Sequence, residues 1–139
     1  MIACEHDAQH KKAGFLKMKV VEKIDEKSVK AFTDSAIQLE QDLRTDGSPM
    51  LKTLEGDYRV ESLVIAHQET HKWLPWVHIA IANLKKFLLG TYHGVSGSHL
   101  QAYLDEFCYR FNRRWCQLEI PNRLLHVCLN HKPTLPAAF

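Results

Sequence analysis

FLKMKVVEKIDEKSVKAFTDSAIQLEQDLRTDGSP, residues 15–49, changes its hydrophobic period twice, and those changes decide the fold class. From Phe15 to Ile24, apolar Leu16, Met18 and Val20 alternate with Lys17 and Lys19, the period of a strand with one buried face. Asp25 can then cap a helix over about Glu26 to Leu39, because Val29, Phe32 and Ala36 recur at helical spacing and leave the charges outside. Asp42 to Thr45 reads as a second, short strand, ended sharply by the turn formers Thr45-Asp46-Gly47-Ser48-Pro49. Strand, crossover helix, strand is the grammar of an α/β fold. It also puts Asp46 at the carboxyl end of a strand, where α/β sheets bind their ligands.

Outward from this stretch, Met1 to Cys4 offers a partner strand and Tyr58 to Ala66 another β-rich run. The chain then turns helical. Leu74, Val77, Ile81, Leu84 and Leu88 make one apolar stripe to about Leu89, with Gly90 as its expected end. Ser96 or Ser98 can cap a next helix with the stripe Leu100, Leu104, Phe107, Phe111 and Trp115, and a short helix around Asn122 to Leu129 follows. The 139 residues, 45% hydrophobic and 24% charged, fit one domain: strands and crossover helices to about residue 66, helices from about 72 to 130. A net charge of +2 is too mild to prove a polyanion partner, so clusters matter more than the sum. Cys4, Cys108, Cys116 and Cys128 form no CxxC pair, which favours reduced thiols. The absence of a long apolar run leaves no expected membrane partner and a cytoplasmic location.

Three constellations carry candidate chemistry. His67-Gln68-Glu69-Thr70-His71 spaces two histidines as in HExxH zinc peptidases, but Gln68 stands where that chemistry needs a carboxylate base, and surface histidines explain it more simply. Cys116, His126, Cys128 and His131 have zinc-compatible atoms without a recognised spacing, so buried thiols and exposed imidazoles are the simpler reading. The third joins Asp46, His78 and Lys85 to basic residues on the later helices. His78 and Lys85, seven apart, lie nearly over one another on one helix face. A carboxylate and an imidazole that can hold a divalent ion, with a lysine two turns on for phosphate, suit phosphodiester chemistry; a solvated lysine and a hydrogen-bonded histidine are the ordinary alternative.

Longer motifs favour the third constellation. Leu74-Pro75-Trp76-Val77-His78, Asn83-Leu84-Lys85-Lys86, Leu89-Gly90-Thr91-Tyr92-His93-Gly94-Val95-Ser96, and the run YLDEFCYRFNRR at 103–114 resemble the closing segment of ISXO-type DDE transposases. Thr45-Asp46-Gly47 resembles their second acidic motif. The resemblance implies an RNase H-like fold in which three residues hold two divalent metals. Asp46 matches the second of them, His78 stands where relatives carry Glu, Asn or His, and Lys85 matches a basic residue seven positions on. The strand bearing the first aspartate has no counterpart here, and Glu5 and Asp7 fall one strand too late to replace it.

The resemblance therefore implies an incomplete RNase H-like α/β fold, a mixed sheet missing its first strand, followed by C-terminal helices. The expected activity is DNA transposition of an insertion sequence, with Asp46, His78 and Lys85 catalytic and Asp46 and His78 close enough to share a metal. Magnesium or manganese would be held weakly, manganese preferred because imidazole suits softer ions. DNA is the expected partner, through Lys85, Lys86, Arg110, Arg113 and Arg114, with a log–log salt slope of about −3 to −4 and, when DNA-bound, a nucleoid location. Without the first aspartate the chain alone is expected to be inactive. The alternative is a non-catalytic DNA-binding or oligomerising fragment that modulates an intact transposase, and an exposed sheet edge would favour homo-oligomers.

Overall fold

The computed structural model describes residues 1–7, 9, 11–63 and 70–132. β1 (Ile2–Asp7) and β2 (Lys12–Met18) form an antiparallel hairpin in which Ile2 faces Met18 and Cys4 faces Leu16. The alternation seen in the sequence does its expected work. Leu16 and Met18 are buried beneath α3 (Pro75–Tyr92) and α4 (Leu100–Asn112), in one cluster with Ala80, Leu104, Phe107 and Cys108. Each large apolar side chain removed from water here contributes roughly 1.5–3 kcal/mol. The register slips between Cys4 and His6, and the Glu5 carboxylate fills the irregularity by accepting the Phe15 N–H at 2.9 Å. β2 stops at Met18 rather than continuing to Ile24. The Val20 N–H goes to the Gln101 side chain at 2.8 Å instead of to a strand, and Val20 and Ile24 are exposed.

The outer edge of β2 is closed by side chains of the later helices. Asn112 accepts the Leu16 N–H at 2.7 Å and donates to the Leu16 carbonyl at 2.9 Å. Gln101, three turns earlier on α4, donates to the Met18 carbonyl at 3.4 Å, and Arg114 donates to the Ala13 and Gly14 carbonyls. An edge that would otherwise invite another strand thus has its polar groups occupied.

A second cluster lies around α1 (Glu26–Ala36), where Val29 is buried with Leu54 and Tyr58 and is flanked by Met1, Ile37, Leu43, Leu51 and Val60. Asp25 caps α1 as expected, its carboxylate accepting the Ser28 N–H at 2.8 Å. The helix ends at Ala36, short of the expected Leu39, which is exposed. β3 (Asp42–Thr45) pairs in parallel with β4 (Arg59–Ser62), joined by a 3-10 helical turn at Pro49–Leu54. The β-rich run expected from Tyr58 to Ala66 therefore begins one residue late, and residues 64–66 lie outside those described. The architecture is mixed α/β, but its four described strands form two separate two-stranded sheets rather than one mixed sheet. Each pair packs on its own apolar cluster, and no ladder joins β1 to β3.

α2 (Thr70–Trp73) is a single turn immediately before α3. Gly90 does not end α3, which runs on to Tyr92; His93 takes the left-handed position at φ 54° and bonds back to the Leu88 carbonyl. α4 starts from a 3-10 turn at Gly97–His99 without a serine side-chain cap, and its expected stripe is inward except for Trp115, which lies beyond the helix and is exposed. α5 (Ile120–Asn130) has no buried residue, and Leu124, Leu125, Val127 and Leu129 face solvent.

Candidate metal site and DNA surface

Asp46 is exposed and directly follows β3. Its carboxylate accepts the Ser48 N–H at 3.2 Å, a local turn that Gly47 permits by adopting φ 76°. Thr45, just before it, is buried, and its carbonyl accepts the Trp73 indole N–H at 2.9 Å. The residue preceding Asp46 is therefore tied to the turn that leads into α3.

His78 is half-buried in the first turn of α3, where its backbone N–H bonds to the Leu74 carbonyl at 3.2 Å. The helix is continuous from Pro75 to Tyr92, so His78 and Lys85 share a face as their spacing requires. Lys85 and Lys86 are exposed and make no ion pair among the described residues. No group of three or more His, Cys, Asp or Glu gathers tightly enough among the described residues to hold an ion. Cys116, His126, Cys128 and His131 accordingly do not assemble into a zinc site; His126 faces Asn130 and Cys128 is exposed. His67, Gln68 and Glu69 lie outside the described residues.

The arginines divide by task. Arg114 is part-buried, its guanidinium donating to the carbonyls of Phe111, Gly14 and Ala13 and lying against Phe111 and Trp115. It holds α4 to the hairpin. Arg110 pairs with Glu106 at 2.7 Å, while Arg113 stacks on Tyr109 at 3.8 Å. The basic run alone presents all three alike; in the fold a carbonyl-rich strand end engages Arg114 and a neighbouring carboxylate engages Arg110.

The ISXO2-like transposase domain model matches residues 1–112. The chain belongs to the ISXO2-like transposase family. Membership ties it to DNA transposition and to DNA as partner, and the matched span includes Asp46, His78 and Lys85. It ends at the last residue of α4, so α5 of this family member lies beyond the matched domain. No curated protein and no solved structure matches the chain. No helix among the described residues of the transposase-family chain is long and apolar enough to cross a membrane.

Two residues escaped the sequence reading. Trp73 bonds to the strand end beside Asp46, and its ring lies 4.9 Å from the Arg44 guanidinium, which also pairs with Glu61 at 3.0 Å. Asn112 closes the β2 edge. Neither carries a local signal, since both act on backbone far away in sequence.

Proposed function

We propose that this chain is the later part of an RNase H-like transposase catalytic domain, with Asp46 and His78 as ligands to a divalent ion and Lys85 as a phosphate contact. The observation that carries the reading is the continuous α3 inside the matched family domain, which stacks His78 and Lys85 on one face. The mixed α/β make-up, with one antiparallel and one parallel strand pair among the described residues, is compatible with this reading. One carboxylate and one imidazole suit manganese better than magnesium, which favours oxygen ligands. An ion there would polarise a phosphodiester and activate the attacking water or 3′ hydroxyl. Lys85 would steady the phosphate as a mobile point charge, and the exposed Asp46 carboxylate is open to an incoming ion.

Manganese titration followed by NMR tests this reading. Resonances of Asp46 and His78 should broaden together at lower manganese than magnesium concentration, and Asp46→Ala should abolish the effect at His78. Broadening confined to one residue, or none, refutes a shared ion. The second reading is a non-catalytic fragment that self-associates, favoured by the bare leucines of α5 outside the matched domain. Sedimentation that stays monomeric at high concentration counts against it.

A further inference from the structure

We infer that Trp73 is a positioning residue that locks the strand end carrying Asp46 to the helix carrying His78. The inference rests on the proposed metal reading for its functional meaning but not for its geometry. The Trp73 indole N–H donates to the Thr45 carbonyl at 2.9 Å, across 28 residues of sequence. The same carbonyl faces the Leu63 N–H at 3.5 Å, beyond the usual range for such bonds, so the indole supplies the better-formed contact at the end of β3. Asp46 is the next residue. Once the Thr45 carbonyl is held, the only remaining backbone freedom before the carboxylate is that of Asp46, which its own bond to the Ser48 N–H restrains.

On the other side, Trp73 is the last residue of α2, two before Pro75 opens α3. Leu74 between them leaves the helical conformation at φ −120° and ψ 57°, and its carbonyl receives the His78 N–H. One indole thus fixes the entry of the helix whose first turn bears the histidine. Arg44 supports the ring from the strand side, its guanidinium 4.9 Å from the ring centroid and paired with Glu61 across the β3–β4 ladder. Two ligands from different elements hold an ion only if their separation is fixed within about 0.5 Å, and this single bond spans the elements concerned.

Trp73→Phe keeps the ring over Arg44 and removes the N–H. It should leave the urea midpoint nearly unchanged, speed hydrogen exchange at the amides of Gly47, Ser48 and His78, and weaken manganese binding about tenfold by NMR titration. Unchanged exchange at those amides overturns the inference. So does a loss of affinity that merely follows a loss of global stability. If the wild-type protein takes up no manganese at Asp46 and His78, the metal reading fails while the exchange data, collected without metal, still decide the locking role. If Trp73→Phe does not fold, the wild-type indole resonances decide: the Trp73 N–H should be protected from exchange more than that of exposed Trp115 and should shift in Asp46→Ala. Equal exchange with no shift refutes the lock.

Discussion

Asn112 holds the Leu16 backbone by both its N–H and its carbonyl, 96 residues away in sequence. Leu16 is buried, so Asn112→Ala leaves a donor and an acceptor at a site that water reaches poorly. At roughly 1–3 kcal/mol for each stranded group, the variant should lose about 2–6 kcal/mol by urea unfolding. Asn112→Asp keeps the acceptor for the N–H but faces the carbonyl with a second acceptor, and should fall between wild type and Ala. An alanine variant as stable as wild type would show that the edge is closed by other groups. The sequence offered Asn112 only as one letter of a family-like run, because an amide that serves a distant strand leaves no periodicity to read. Arg114 taught the same lesson in reverse. Its charge advertised a phosphate contact, while its position gave it three carbonyls.

At the scale of elements, what the sequence declared was local. Asp25 announced α1, and the Leu16–Met18 alternation announced β2, because caps and buried faces are written within a few residues. The true end of β2, the run of α3 past Gly90 and the separation of the strands into two sheets depended on partners elsewhere in the chain. The cap carries a pH dependence of definite sign. Hydrogen bonds from Ser28 hold the Asp25 carboxyl below its usual range. A depressed folded-state value gives stability that is present above the unfolded value and is lost as pH falls through the folded one. Asn caps nearly as well but does not titrate, so Asp25→Asn should match wild type at neutral pH and lose less in acid, as thermal melts at pH 7 and pH 3 would reveal. If wild type and variant lose equally, the cap does not govern the acid response. The DNA contact expected of the basic residues also belongs to this scale. With Arg114 engaged and Arg110 paired, Lys85, Lys86 and Arg113 remain, so the log–log salt slope should be about −2 to −3 rather than the steeper value expected from the basic run alone. Lys85→Ala combined with Lys86→Ala should reduce it by about two. A slope near zero, or one unmoved by the double variant, removes α3 from the DNA surface.

For the whole molecule, the family and the helical half were legible in long motifs, and the placement of His78 and Lys85 on one helix followed from their spacing. How the strand end preceding Asp46 is tied to the turn before that helix was not, because a tryptophan outside every motif makes the connection. With two of the proposed metal positions, the 139 residues alone should not cut or join DNA carrying candidate element ends in manganese. Metal-dependent cleavage lost in Asp46→Ala would show that these residues suffice. The closure of the β2 edge has a consequence in time. A ribosome makes β2 about 96 residues before it makes Asn112, and at 5–20 residues per second that interval lasts roughly 5–20 s. For those seconds the nascent hairpin presents a bare, sticky margin to neighbouring chains on the same message. Slow codons between α3 and α4 should therefore lower the soluble yield, whereas the finished protein, its margin sealed, should be indifferent to how it was translated.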